Sequence, residues 1–274
     1  MSGGRHEGPA AQLRAMDARA RKSLGQHFLS SPSVAQRIVQ LAGVGQGSRV
    51  LEVGPGLGAL TEHLLAAGVQ LTAVERDERL ADQLAERWPQ IELIRDDAMK
   101  VDWAGRLEGG GWTCVSNLPY NVGTHIVSRM VRTPQTFTRL VVMLQREVAE
   151  RICAEPGGKI YGALSVEMQA RAQAEPMLRV KPGAFHPPPK VDSAVIRLEI
   201  GLHPEVQEQE LAGLDVVVKA VFNQRRKTLR KSLGSSYGKA RALEALEAAG
   251  IDPGARPEVI DVAAFARLAR ELVG

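Results

Sequence analysis

The amino-acid sequence predicts an α/β protein: a mostly parallel, doubly wound sheet, followed by a smaller all-helical segment. Three observations carry that expectation. Short aliphatic runs alternate with stretches of helical periodicity between residues 33 and 153. A glycine-rich turn at residues 54–58 joins the first such run to a helix. After Gly201 the strand-like runs stop.

The elements follow in order. Residues 33–42 place Val34, Ile38 and Leu41 at helical spacing, with Pro32 as a start signal. Residues 49–53 read as a buried strand, 54–58 as a turn and 59–67 as a helix. A second strand (71–74), a charged helix (77–87) and a third strand (91–95) come next. Residues 113–115 and 137–143 are the fourth and fifth strands, with helices at 122–131 and 145–153. Strands at 176–180 and 193–200 flank the proline-rich stretch 185–189 and can form an antiparallel edge. Residues 205–274 read as helical, broken at 250–254. The expected organisation is a mobile, weakly basic arm (1–20), an α/β domain (21–201) and a helical domain (202–274).

Composition narrows the class. A chain of 274 residues with 44% hydrophobic content can bury a sizeable core, and with 5 Phe, 3 Tyr and 3 Trp that core is mostly aliphatic. The formal charge of +4 permits a polyanionic partner. Cys114 and Cys153 give neither a metal-ligand spacing nor a disulfide framework, so no metal is expected and the chain reads as cytoplasmic. No apolar run is long enough for a membrane helix.

The turn Gly54-Pro55-Gly56-Leu57-Gly58 departs from the dinucleotide fingerprint, because its third glycine comes two residues after the second. Glu52 just before it would repel a pyrophosphate. S-adenosyl-L-methionine carries a sulfonium and an ammonium and no phosphate, so it suits an acidic loop of close approach. Glu75 ends the second strand, where a carboxylate can accept both ribose hydroxyls. Asp97 ends the third, where it can accept an adenine amino proton.

Asn117-Leu118-Pro119-Tyr120 follows the fourth strand. The amino group of a base is a poor nucleophile because its lone pair is delocalised into the ring. Acceptors on both N–H bonds, here Asn117 Oδ1 and the Leu118 carbonyl, favour the tetrahedral form and free that pair. Pro119 fixes φ and removes a competing donor. Tyr120 can stack on the base. Methyl transfer then needs positioning and charge placement rather than a strong base.

From residue 219 to 241 there are eight Lys or Arg and no acid. On a single helix, Val218, Phe222, Leu229 and Leu233 fall in one arc, leaving Arg225, Arg226, Lys227, Arg230 and Lys231 to meet phosphates. A solvated helix face is the alternative for such a run.

Taken together the motifs resemble the bacterial 16S rRNA adenine N6,N6-dimethyltransferases, the kasugamycin-sensitivity enzymes. The likeness runs from about Lys22 to the C-terminus through residues 22–29, 52–58, 117–120, 144–149, 161–165, 185–195 and 222–228. It implies a Rossmann-like class I methyltransferase fold. It also implies that residues 26–29, with His27 and Leu29, cover S-adenosyl-L-methionine, which Gly54, Glu75, Asp97 and Asn117 contact. Phe185 is implied to sandwich the target adenine with Tyr120. The implied substrate is a pair of adjacent adenosines in the 3′-terminal hairpin loop of 16S rRNA within the immature 30S subunit, each methylated twice. A monomer suffices for such an enzyme. His27 stands where the family often has Asn, and His125 where it usually has Pro. A 23S rRNA adenine methyltransferase of antibiotic resistance and a non-catalytic ribosome-assembly factor are the alternatives.

Overall fold

The computed structural model describes residues 8–15, 20–21 and 24–273. The aliphatic runs pair as strands, the central ones buried on both faces, and the stretches of helical period pack over them. The chain begins with α1 (Pro9–Ala15), β1 (Phe28–Leu29) and α2 (Pro32–Ala42). Then β2 (Arg49–Val53), α3 (Ala59–Ala66), β3 (Gln70–Val74), α4 (Glu78–Arg87) and β4 (Glu92–Ile94) alternate. They are followed by α5 (Trp103–Arg106), β5 (Trp112–Asn117), α6 (Gly123–Val131), β6 (Phe137–Gln145) and α7 (Arg146–Ile152). The later part contains α8 (Ala163–Gln169), β7 (Ala172–Val180), β8 (Phe185–His186) and β9 (Ser193–Ile200). Four helices close the chain: α9 (Leu211–Phe222), α10 (Leu229–Tyr237), α11 (Lys239–Ala248) and α12 (Val262–Val273).

Seven strands form one sheet in the order β4-β3-β2-β5-β6-β9-β7. The pairs among β2 to β6 are parallel, and β9 runs antiparallel to β6. The expected fold class is therefore the observed one. Strand order reverses at β2, with β3 and β4 to one side and β5 and β6 to the other. The loops leaving the carboxyl ends of β2 and β5 consequently flank a single crevice. Val50, Val115, Val141 and Val195, one from each of four strands, pack with Ile38 of α2 and Leu64 of α3.

The chain divides into two compact units. One holds the chain up to Ala149 together with Glu175–Glu199, and the other holds Glu150–Ala174 with Ile200–Gly274. The chain passes between the units after Ala149, after Ala174 and after Glu199, so that Glu150–Ala174 groups with the later helices. The reason is packing: Tyr161, Val166 and Ala170 share a core with Val217, Val221, Leu229 and Phe265. Within the expected mobile arm, α1 is helical and Leu13 is buried with Phe28, Leu57 and Leu80. The remaining arm residues 1–7 and 16–19 lie outside the described residues.

The glycine turn depends on its backbone. Gly54, Gly56 and Gly58 all have positive φ, at 66°, 60° and 82°. A methyl group on Gly58 would lie 2.1 Å from the Trp88 ring. Gly58→Ala should therefore cost stability by about 1–3 kcal/mol, from backbone strain and overpacking. Thermal unfolding checks this, and an unchanged Tm would contradict it.

Candidate active site

A cleft of about 1030 Å³, counted out to solvent, opens at the carboxyl ends of β2, β3 and β5. The glycine turn forms its floor. A Cβ on Gly56 would come 2.9 Å from the Phe28 ring, so this backbone is packed too closely for any side chain. The cleft wall carries four carboxyl groups, Glu52, Glu75, Asp96 and Asp97, and one guanidinium, Arg76. Arg76 is paired with Asp97 at 3.1 Å. An anionic phosphate finds little to hold it there, whereas a cationic ligand without phosphate meets an acidic wall.

Each acid is held differently. Glu75 is buried, and its carboxylate accepts from the Gly56 N–H at 3.1 Å and the Asp77 N–H at 2.9 Å. Burial nevertheless raises its pKa above the usual carboxylate range. Glu52 is 2% exposed and accepts from the Thr61 hydroxyl at 2.7 Å. Its pKa is pushed up to about 8, chiefly by burial, so it is mostly protonated at neutral pH. Asp97 is more open and accepts from the Met99 N–H at 3.0 Å.

Asn117 ends β5, so its side chain enters the cleft from the strand terminus. Its Nδ2 donates to the His27 carbonyl at 3.1 Å. Its Oδ1 is buried and has no partner among the described residues. The turn that follows is fixed by the Leu118 N–H to the Met143 carbonyl (3.2 Å), and by the Pro119 carbonyl accepting from Gly123 N–H at 2.8 Å. The Tyr120 hydroxyl bonds Ser193 Oγ, which sequence reading missed because the two positions are 73 residues apart and meet only in the fold. Burial raises the Tyr120 pKa.

His27 and Leu29 both line the cleft, as do Gly54, Glu75, Asp97 and Asn117. His27 also stacks on Tyr120, with ring centroids 5.3 Å apart and planes 28° apart. Its Nδ1–H donates to the Pro187 carbonyl at 2.8 Å. Phe185, expected to sandwich the adenine with Tyr120, is not among the residues that line the cleft. β8 pairs with β1, with Phe185 opposite Leu29, and the Phe185 ring is buried at 4% exposure in the core beneath. The ring facing Tyr120 is His27. His125 lies on the exposed side of α6.

The basic segment belongs to the helical unit and needs a correction. The single helix expected there is two helices, because α9 ends at Phe222 and α10 begins at Leu229. The first amides of α10 bond outside it: Leu229 N–H to the Ala255 carbonyl at 2.8 Å and Arg230 N–H to that of Pro253 at 3.2 Å. Arg225, Arg226 and Lys227 sit on the connection, Arg230 and Lys231 on the first turn of α10, and all five are exposed. Arg225 donates to the Lys159 carbonyl. Val218, Leu229 and Leu233 are buried as anticipated, but they dock two elements.

Crevice, glycine turn and acidic strand ends together define a Rossmann-like methyltransferase. The chain belongs to the ribosomal RNA adenine dimethylase family, whose model matches residues 17–273. It is 46% identical over 253 residues to the Ribosomal RNA small subunit methyltransferase A of Phenylobacterium zucineum, covering 91% of this chain and 87% of the relative. The protein of that name from Pseudomonas aeruginosa is 42% identical over 258 residues, covering 93% and 95%. Among solved structures, the 23S rRNA methyltransferase ErmE superposes with a TM-score of 0.71 at 28% identity, covering 89% of this chain and 99% of that one. A dimethyladenosine transferase from Plasmodium falciparum shares the fold at a TM-score of 0.75 and 23% identity, covering 88% and 96%.

The buried Glu52 has a consequence for pH. Its pKa is about 8 in the folded chain against 4.5 when unexceptional, so the folded state holds the proton more tightly. The stability this contributes is fully present below pH 4.5 and is lost as pH rises through 8. Glu52→Gln should therefore lose less Tm than the parent between pH 6 and pH 9, a window that spans the folded-state pKa of about 8. Parallel losses in the two proteins would show that Glu52 is not the group responsible.

Proposed function

We propose that this chain transfers methyl groups from S-adenosyl-L-methionine to N6 of two adjacent adenosines in the 3′-terminal hairpin loop of 16S rRNA, twice each, during small-subunit biogenesis. The observation that carries this reading is the unpartnered, buried Oδ1 of Asn117 on the cleft wall. An acceptor so placed wants an N–H donor, and the amino group of adenine offers two.

The residues present fit the cofactor. Gly54 and Gly56 allow close approach, Glu75 has lone pairs left for ribose hydroxyls, and Asp97 can take an adenine amino proton. When bound, S-adenosyl-L-methionine supplies an electrophilic methyl group. The chain's own work is done on the base. Asn117 Oδ1 and the Leu118 carbonyl draw on the amino protons, directing the nitrogen lone pair out of the ring. Tyr120, held by Ser193, offers an aromatic face on which the base stacks. The methylated nitrogen is a strong acid and passes its proton on without a dedicated base. The exposed cations 225–227, 230 and 231 supply contacts to RNA phosphates.

The curated relatives named for the small ribosomal subunit support 16S rRNA over 23S rRNA as the substrate. The assay is transfer of labelled methyl from S-adenosyl-L-methionine to immature 30S particles, 23S rRNA or duplex DNA, with mapping of the modified base. Label on two adjacent 16S adenosines is expected. Label in 23S rRNA would shift the reading to a resistance-type enzyme, and no transfer with cofactor bound would point to an assembly factor. Asn117→Ala should lose transfer by about 100-fold, the scale of removing one positioned polar group. Retained activity would remove Asn117 from the chemistry. Reversing Arg226 and Lys227 to Glu should weaken RNA binding and flatten its dependence on salt. Unchanged affinity across salt concentrations would exclude this face.

A further inference from the structure

Residues 24–29 all line the cleft, although they precede the sheet by some twenty positions (~20, more than a helix turn can bridge). Something must hold this strap over the crevice. At its far end the hold is β1 against β8. In the middle it is the Asn117 amide on the His27 carbonyl, at 3.1 Å. At its near end Gln26 Nε2 donates to Asp77 Oδ2 at 3.2 Å, and Arg21 Nε lies 3.7 Å from the same oxygen. Gln26 Oε1 accepts from the Arg21 N–H at 2.7 Å, so one side chain closes the turn and reaches the anchor.

Asp77 is built as that anchor. It is 1% exposed and follows β3 by three residues, at the start of α4. Arg79 grips its carboxylate with two bonds, 3.0 Å from Nε and 2.7 Å from the terminal nitrogen. A buried carboxylate held by a two-pronged guanidinium stays charged and fixed in direction. Its remaining lone pairs therefore face the strap permanently. The Asp77 backbone N–H meanwhile donates to Glu75 Oε1 at 2.9 Å. One residue thus touches both the strap and the carboxylate expected to bind the ribose.

We propose that Asp77 is a positioning residue that fixes the strap 24–29 over the cofactor cleft through Gln26 and ties its placement to the Glu75 carboxylate. The inference rests on the cofactor reading above for its kinetic part. The strap reaches both the catalytic turn and the glycine turn, since His27 stacks on Tyr120 and the Phe28 ring lies against Gly56. Loosening its near end, while the middle keeps its bond to Asn117, should therefore weaken cofactor retention more than it slows the chemical step.

The test uses the full chain, with variants Asp77→Ala, Asp77→Asn and Gln26→Ala. Gln26→Ala removes the contact to Asp77 and the bond from the Arg21 N–H but keeps the Asp77–Arg79 pair, so it reports even where Asp77→Ala fails to fold. Amide hydrogen exchange is followed in the peptide spanning residues 24–29, beside KM for S-adenosyl-L-methionine and kcat. Gln26→Ala and Asp77→Ala should speed exchange of that peptide by about tenfold, the scale of one charge-assisted hydrogen bond. KM should rise by a similar factor with kcat nearly constant, and Asp77→Asn, which keeps an acceptor oxygen, should recover part of both. Unchanged exchange at residues 24–29 in Gln26→Ala would overturn the proposal. So would a fall in kcat at constant KM. The exchange measurement needs no methyl transfer, so failure of the enzymatic reading and failure of the anchor are told apart.

Discussion

The site turns on the orientation of one amide. Asn117 stands at the end of β5, where the strand stops and the chain must bend. Its Nδ2 is committed to the His27 carbonyl, which leaves Oδ1 as the group presented to the cleft. An amide free to flip would offer a donor or an acceptor indifferently. Bound on one side only, it offers an acceptor. The sheet fixes the position of Asn117, since β5 lies between β2 and β6 and cannot slide without breaking both pairings. Pro119 and the hydrogen bonds of the following turn fix the direction in which the chain leaves.

The acids around this amide follow the same logic of burial against charge. Glu52 and Glu75 are taken out of water, which favours their neutral forms, and backbone amides or a hydroxyl offset part of that cost. Asp77 is also buried but is gripped by Arg79, and its pKa falls. Burial thus pushes Glu52 and Glu75 towards their neutral forms, while Arg79 holds Asp77 in its charged form.

Much of this was legible in the sequence. The glycines at 54, 56 and 58 could only serve a turn of positive φ, and acids at 75 and 97 fell at strand ends because the aliphatic runs stopped there. Asn117 was legible for the same reason. The pairing of Phe185 with Leu29 was not legible, because a two-residue strand is too short to show a period and its partner lies more than 150 residues away. The break at residues 223–228 was hidden because its capping partners, the carbonyls of Pro253 and Ala255, lie far along the chain. Glu150–Ala174 has an ordinary amphipathic pattern that does not say which core receives it. Asp77 looked like a helix start, which it is, and its grip on Gln26 depends on a fold that brings positions 26 and 77 together.

The central claim is that Asn117 Oδ1 reads an amino proton of the target base. The direct measurement is a binding cycle with a hairpin RNA carrying either adenosine or purine riboside, which lacks the amino group, at the target position. The parent protein should lose about tenfold in affinity when the amino group is removed, and Asn117→Ala, left with only the Leu118 carbonyl to read that group, should lose clearly less. An equal loss in both proteins would contradict the account, because the amino group would then be recognised by some other residue.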